Sequence, residues 1–535
     1  MNIPLTPIRF LRYARQQYPN KTAVACRDQR FTYTQLAERA GRLAGALKAM
    51  GAAPGDRVAF LSTNCHHLLE AYYGVLEAGC VLLPLNVRVT PAEMVYVLND
   101  AGARFLFVDS QFLRLVDGFC QEVLSVENFV LLDGAGEANW LARQNYEDLL
   151  AASPTAERNL DEVDENSLAE IFYTNGTASK PKGVMLTHRN VHLHALSVLA
   201  SFQTSSATAG HTSCDSVQLH TIPLFHANGW GAVHTVTLVG GTHVMVQRFN
   251  PAEVFRLIQR ERVTGMGIVP TMASALISSP VRNKYDLSSL KHIMVGGAAA
   301  SPALVREVEE KLGCVCISGY GLTECSPVLA MSGIKTGVQW EGEQRYAGQA
   351  KTGFAIPGVE VRVLDEHGQE VPHGGKTVGD VVARGDAVML GYWGQPEATK
   401  TAFAGGWFHT GDIATIDADN YLQIGGRSKD IIISGGENIS AQELEKTVAE
   451  HPAVREVAVV AGPDPRWGEV PIAVVVLKPE AKLQQEELLE FCRGRLARYK
   501  CPRLVAFRDV LPKDDKGKVL KEELRQPLWR AASAA

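Results

Sequence analysis

The segment from Tyr173 to Gly183, YTNGTASKPKG, constrains the fold most, because it joins two apolar runs through a short connection rich in anion-binding residue types. The runs 168–172 and 184–186 predict two buried strands. Glycine lets backbone N–H groups approach an anion, hydroxyl groups donate to phosphate oxygens, and lysine adds a positive charge. The segment predicts either a strand–loop–strand unit that binds phosphate or a hairpin without a ligand, and alone it favours neither.

The loop is not a Walker loop. That motif requires glycine at position 181 and serine or threonine at position 183, whereas this chain has Pro181 and Gly183. Although Lys182 lies at the offset of the Walker lysine, the P-loop NTPase interpretation fails.

Strand and helix patterns alternate along the first part of the chain. Apolar periodicity predicts helices at 31–51, 67–78 and 91–98, the first capped by Thr34, and strands at 57–61, 81–83 and 105–108. Such alternation is typical of an α/β protein with a parallel sheet covered on both faces. A chain of 535 residues is too long to fold around one compact core, so we expect at least two domains.

A helix predicted over 188–199 carries His188, His192 and His194. A metal site needs a third ligand that the pattern does not supply, so we expect these imidazoles to form a solvated helix face.

Composition and charge narrow the function classes. The net charge of -5 shows no excess of basic residues, so we do not expect nucleic acid as a main partner. The 10 cysteines are scattered without a C-x-x-C pair, which argues against zinc and disulfides and favours a reducing compartment. No apolar run is long enough for a membrane span, and neither terminus matches a secretory or peroxisomal signal, so we expect a cytoplasmic protein.

Further motifs follow the loop along the chain. They are PLFHANGWG at 223–231, VGGAAAS at 295–301, SGYGLTE at 318–324, GDVVARGDAVMLGYW at 379–393, WFHTGD at 407–412, GGRSKDIIISGG at 425–436 and PKDDKGKVLK at 512–521. Together with the loop, this series resembles the adenylate-forming enzymes, which include acyl-CoA synthetases, luciferases and peptide-synthetase adenylation domains. The resemblance covers almost the whole chain. The family's usual loop is YTSGTTGxPKG, from which this chain departs at Asn175, Ala178 and Ser179.

The resemblance implies an ATP and Mg²⁺ site. Tyr320 suits stacking on adenine, Asp412 suits both ribose hydroxyls, and the oxygens of Thr323 and Glu324 suit Mg²⁺. The residues expected to bind ATP or CoA are Thr174, Asn175, Gly176, Thr177, Lys182, Gly297, Ala298, Gly319, Tyr320, Gly321, Thr323, Asp412, Arg427, Lys429, Gly435 and Gly436. Thr177 and Glu324 are the expected metal ligands.

The resemblance also implies catalytic and substrate residues. Lys518, His226, Thr177 and Glu324 are the expected catalytic residues, and His226, Trp230 and Gly297 are expected to contact the acid. Trp230 follows His226 by one predicted helical turn, so its indole either shapes the acyl pocket or belongs to the core.

The implied fold is a large N-terminal domain of stacked α/β sheets, 1–428, and a small mobile α+β domain, 429–535, that pivots at Lys429. After rotation, the Gly435–Gly436 turn would face the pantetheine arm of CoA.

The implied function is an acyl-CoA synthetase that uses ATP, Mg²⁺ and CoA on a small carboxylic acid, with a homodimer as a possible assembly. His226, Trp230 and the small residues near Gly297 favour a medium-chain or aromatic acid. Two alternatives stay open: an adenylating enzyme that oxidises its acyl group or delivers it to a carrier protein, and a nucleotide-binding homologue impaired by the loop departures.

Overall fold

The computed structural model describes residues 2–133, 144–174, 180–427, 431–513 and 519–533. The strands are β1 Thr22–Cys26, β2 Gln29–Thr32, β3 Arg57–Leu61, β4 Val81–Pro84, β5 Ala103–Val108, β6 Asn128–Leu131, β7 Gln144–Asn145, β8 Leu168–Thr174, β9 Lys182–Thr187, β10 Val217–His220, β11 Thr242–Met245, β12 Gly265–Ile268, β13 His292–Val295, β14 Val315–Gly321, β15 Val328–Met331, β16 Phe354–Ala355, β17 Val359–Leu364, β18 Gly379–Gly385, β19 Gly391–Tyr392, β20 Phe408–Ile416, β21 Leu422–Arg427, β22 Ile431–Ser434, β23 Glu437–Ser440, β24 Val454–Asp464, β25 Gly468–Leu477 and β26 Leu504–Phe507. The helices are α1 Ile8–Gln17, α2 Tyr33–Ala49, α3 His66–Glu77, α4 Pro91–Ala101, α5 Leu113–Asp117, α6 Tyr146–Ala152, α7 His188–Gln203, α8 Ala227–Trp230, α9 Ala232–Leu238, α10 Pro251–Glu261, α11 Pro270–Ile277, α12 Pro302–Leu312, α13 Gly342–Gln349, α14 Pro396–Ala402, α15 Ala441–Ala449, α16 Gln485–Arg493 and α17 Lys521–Ser533.

Two large sheets form the body of the protein. One has the order β16-β15-β14-β13-β12-β10-β11-β1-β2, and the other has the order β19-β9-β8-β4-β3-β5-β6-β7. Each has a parallel centre, with antiparallel strands such as β2, β15 and β9 toward its ends. This arrangement confirms the expected α/β class.

Helix α3 lies in the core between these sheets. All of its residues are buried, as expected for a helix that is covered on every side. Glu70, one of the two buried acids in α3, pairs with Arg39 and accepts a hydrogen bond from Tyr146, so its charge is compensated. At Gly74 a Cβ atom would lie 2.7 Å from the carbonyl oxygen of Ala40, so glycine lets α2 and α3 pack closely.

Two smaller sheets complete the fold. An antiparallel sheet has the order β17-β18-β20-β21. The C-terminal sheet has the order β23-β22-β25-β24, with β26 parallel to β25, and α15, α16 and α17 pack with it as a small α+β domain. Among the described residues, no helix is long and apolar enough to cross a membrane.

Two local expectations are wrong. Thr32, not Thr34, caps α2, and it forms a capping box with Gln35. His188, His192 and His194 are buried rather than solvated.

The buried histidines of α7 hold distant segments in place. His188 and His192 bond to the hydroxyl and carbonyl oxygen of Thr6, and the Val328 N–H donates to His194. Burial lowers the pKa of His194 to about 3, so its ring is neutral.

Candidate active site

A cavity of about 860 Å³ lies at the carboxyl edge of the parallel strands β10, β12, β13 and β14. Ligands of open α/β sheets bind at this edge. The β22–β23 hairpin of the C-terminal domain forms part of its wall. The predicted site residues that line it are Thr174, Lys182, His226, Trp230, Gly297, Ala298, Gly319, Tyr320, Gly321, Thr323, Glu324, Asp412, Gly435 and Gly436.

The two strand ends that flank the predicted phosphate loop line this cavity. Thr174 and Lys182 are register partners on β8 and β9, and both line the cavity. The Lys182 ammonium lies 4.6 Å from the centroid of the Tyr392 ring. Asn175, Gly176 and Thr177 lie outside the described residues, so the structure places the two ends of the loop and not its centre.

Glu324 lies beside this phosphate end. Its Oε1 accepts a hydrogen bond of 2.9 Å from the Tyr392 hydroxyl. A carboxylate has further acceptor positions, and Glu324 and Thr323 both line the cavity. These hard oxygen donors fit Mg²⁺ held between protein and phosphate oxygens. The other predicted ligand, Thr177, is outside the described residues.

The cavity wall also contains a buried carboxylate. Asp412 on β20 is 3% exposed, and its Oδ2 accepts a hydrogen bond of 2.6 Å from the Tyr320 hydroxyl. A charged acceptor forms the stronger class of hydrogen bond. Asp412 is paired in register with Arg427, whose side chain the structure does not describe. Tyr320 and Asp412 therefore form one wall suited to a nucleoside.

His226 precedes an unusual backbone segment. Ala227, Asn228, Gly229, Trp230 and Gly231 all have positive φ values, between 36° and 83°. Trp230 follows His226 by one helical turn, as expected, and its N–H donates to the His226 carbonyl oxygen at 3.2 Å, but this turn is left-handed. Such a run in non-glycine residues is strained and is concentrated at ligand sites.

The left-handed segment sets the Trp230 indole against a glycine surface. Cβ atoms added at Gly267, Gly296 and Gly297 would lie 3.3, 3.0 and 3.4 Å from the six-membered ring of the indole. A chamber of about 50 Å³ that Trp230 also lines adjoins this end of the cavity. Ile222 and Met294 also line both spaces, so the indole forms part of the wall between the cavity and the chamber.

The C-terminal domain reaches the cavity through the tight turn between β22 and β23. Gly435 and Gly436 have φ values of 57° and 86°, as a two-residue hairpin requires. A Cβ atom at Gly436 would lie 2.6 Å from Cγ1 of Val269, so this close approach needs glycine.

Glu437 follows this turn, and sequence reasoning missed it. The carboxylate is buried and contacts Arg88 and Nε2 of His226, the latter at 3.3 Å. Burial alone would raise the pKa of Glu437, but His226 and Arg88 lower it to about 2. The one sequence feature that could have pointed to Glu437 is its position directly after the predicted Gly435–Gly436 turn.

A second charge cluster joins the two domains away from the cavity. Lys500 is 1% exposed and pairs with Glu93 of α4 and, at 2.9 Å, with Glu443 of α15. Lys429 and Lys518 lie outside the described residues. Lys513 and Val519, which flank the latter, form an isolated bridge and do not line the cavity.

The chain matches the family described as AMP-binding enzyme over residues 11–393 and the AMP-binding enzyme C-terminal domain over residues 443–518. It is 36% identical to 4-hydroxybutyrate–CoA ligase 2 of Metallosphaera sedula over 97% of this chain and 94% of that protein. It is 38% identical to a long-chain-fatty-acid–CoA ligase of Thermus thermophilus over 93% of this chain and 90% of that protein. The solved o-succinylbenzoate CoA synthetase of Bacillus subtilis, a double mutant bound with a product analogue, superposes with a TM-score of 0.80 and 28% identity, covering 97% of this chain and 98% of that one.

Proposed function

Since the chain belongs to the AMP-binding enzyme family and is an AMP-forming acid–thiol ligase, we propose that it activates a medium-chain or aromatic acid with ATP and transfers the acyl group to CoA. The observation that carries the proposal is one cavity shared by the ends of the phosphate loop, the Tyr320–Asp412 wall, the Trp230 indole and the Gly435–Gly436 turn.

The lining of the acyl end supports this choice of acid. Ile222, Val269 and Met272 give this end an apolar lining, and the Trp230 indole closes it. An apolar lining favours an alkyl or aryl group over acetate, because burial of each CH₂ contributes about 0.8 kcal/mol. The closed end excludes a long chain unless the indole moves.

In the first half-reaction, a carboxylate oxygen of the acid attacks the α-phosphorus of ATP and pyrophosphate leaves. Thr174 and Lys182 bind the departing phosphates together with Asn175, Gly176 and Thr177. Thr177 and Glu324 would hold Mg²⁺, which supplies charge neutralisation on the phosphate oxygens. Lys518 places its positive charge where negative charge develops at the α-phosphate.

In the second half-reaction, the CoA thiol attacks the acyl carbonyl and AMP leaves. The described orientation suits this step, because Gly435 and Gly436 line the cavity and the residues flanking Lys518 do not. We infer that the C-terminal domain, taken as 429–535, rotates about Lys429 between the two steps. All ten cysteines are free, which supports a reducing compartment such as the cytoplasm.

A panel of acids from acetate to long-chain and aromatic acids tests the proposal. We expect AMP release that requires both the acid and CoA, with the highest kcat/KM for medium-chain or aromatic acids. Acyl-adenylate formation without thioester formation would instead indicate carrier-protein delivery, and no AMP release with any acid would indicate an impaired homologue.

A further inference from the structure

Glu170 is a buried acid that neither of the proposed half-reactions uses. It lies on β8, the strand that leads into the phosphate loop at Thr174. Glu170 is 0% exposed, and its backbone pairs with Leu82 of β4 and with Leu186 of β9 in the middle of the sheet. Because the strand is held on both sides, the carboxylate has a fixed position in the core.

The Glu170 carboxylate contacts the chain on both sides of Trp230. Its Oε2 accepts a hydrogen bond of 3.0 Å from Nδ2 of Asn228, and its Oε1 lies 2.8 Å from Nε2 of His234. Both partners are buried. Asn228 belongs to the left-handed segment, and His234 lies on α9, which follows that segment. One carboxylate therefore anchors the chain before and after the indole.

The left-handed segment needs such an anchor. Non-glycine residues in this region of φ and ψ are strained, and they persist only where the surrounding structure holds them. Asn228 has a φ of 45° and a ψ of 43°, a conformation that asparagine tolerates better than most side chains. The backbone from Asn228 to Trp230 determines how the indole lies against Gly267, Gly296 and Gly297. If the segment relaxed to another conformation, the indole would leave this surface.

We propose that Glu170 is a positioning residue for acid selectivity, which holds the left-handed segment and, through it, the Trp230 indole at the acyl end of the cavity. The inference rests on the proposed function. Trp230 lines the cavity, whereas Glu170 is not among the described residues that line it. Glu170 therefore acts on the acid through Asn228 and His234, and the ATP site should not depend on these contacts.

The test breaks this hydrogen bond and then restores it in reverse. Asn228→Asp removes the donor and places a second carboxylate against Glu170, while aspartate also tolerates the left-handed region. In the double variant that adds Glu170→Gln, the new amide group donates to the new aspartate, and its oxygen still accepts from His234. Asn228→Gly removes the bond without a second charge, and glycine adopts positive φ without strain.

Glu70→Gln is the matched control. Glu70 is also 0% exposed, and its partners are Arg39 and Tyr146 rather than the left-handed segment. AMP release across a series of acids of increasing length gives the ranking of acids for each variant. The KM for ATP reports the nucleotide site, and urea unfolding reports stability.

We expect Asn228→Asp and Asn228→Gly to reduce the preference for the best acid over longer acids on the order of 10-fold, the factor for one lost hydrogen bond to a charged group. The KM for ATP should stay unchanged. The double variant should recover the ranking of the unmodified enzyme. Glu70→Gln should lower stability and leave the ranking of acids unchanged.

An unchanged ranking in Asn228→Gly would show that Glu170 only stabilises the fold and would overturn the inference. A double variant that ranks acids as Asn228→Asp does would overturn it too, because the restored bond would then have no effect on selectivity. Absence of AMP release by the unmodified enzyme with every acid would instead refute the proposed function, and the inference with it.

Discussion

Replacing Trp230 with alanine should change which acids the enzyme accepts. The indole forms part of the wall between the main cavity of about 860 Å³ and the chamber of about 50 Å³. Removing it joins the two spaces and adds the volume of the indole itself. An acid that is too long for the unmodified enzyme then gains room for its distal carbons.

The expected change follows from the apolar surface that becomes buried. Each additional CH₂ contributes about 0.8 kcal/mol, or roughly a fourfold change in affinity. An acid with three more methylenes than the best natural substrate should therefore improve in relative kcat/KM by roughly 50-fold. Short acids should become poorer substrates, since the cavity no longer encloses them.

The assay is AMP release across a series of straight-chain acids of increasing length. Trp340→Ala is the matched control, because Trp340 is also half-buried and packed on a glycine, Gly348, but does not line the cavity. It should lower stability and leave the ranking of acids unchanged. The reasoning is refuted if Trp230→Ala loses stability with the same ranking, since Trp230 would then act only as part of the core.

Three further outcomes are expected. Asp412→Ala should weaken ATP binding by about 1–3 kcal/mol and so raise the KM for ATP, because two ribose hydroxyls lose a buried acceptor; an unchanged KM and kcat in steady-state kinetics would remove Asp412 from the nucleotide site. Lys518→Ala should slow acid-dependent pyrophosphate release by roughly 10²–10³-fold and leave conversion of supplied acyl-adenylate to acyl-CoA nearly unaffected; equal losses in the two assays would argue against domain rotation. Burial lowers the pKa of each of His194, His220 and His292 to about 3, so the unfolded chain binds more protons than the folded chain between about pH 6.5 and pH 3. Each histidine should therefore remove up to about 1.4 kcal/mol of folding stability per pH unit as the pH falls through this window. Urea unfolding at pH 7 and pH 5 measures this loss, and equal unfolding free energies at the two pH values would contradict it.

Local patterns predicted the elements of the large domain well, because apolar periodicity reports directly on burial. The strand at 57–61 has the predicted bounds, and the helix predicted at 31–51 is observed as α2, Tyr33–Ala49. The wrong cap had an available signal, since Thr32 and Gln35 have the spacing of a capping box.

The histidines of α7 show what periodicity cannot report. His188 and His192 are buried because Thr6, more than 180 residues away in the chain, supplies their partners. A polar residue becomes a core residue only when a distant segment satisfies its hydrogen bonds, and no local pattern contains that segment.

Site residues could be predicted where a short motif contains the residue and the residue type itself indicates the chemistry. Tyr320 and Asp412 were named from separate motifs, and their side chains meet in the cavity. Trp230 lies one helical turn after His226 and lines the cavity as expected, but no sequence pattern indicated that this turn is left-handed. The assignments of Thr177, Lys429 and Lys518 fall outside the described residues and stay predictions.

Glu437 and Lys500 were missed because their roles depend on how one domain lies against the other. Both are charged groups buried at the domain interface, paired with Arg88 and His226 in one cluster and with Glu93 and Glu443 in the other. A buried ion pair contributes little net stability, because the desolvation of its charges offsets much of their attraction. If the C-terminal domain rotates as proposed, the charges of these clusters lose their partners and regain water. An interface held by such clusters can therefore separate at modest free-energy cost, which is what the proposed rotation between the two half-reactions would require.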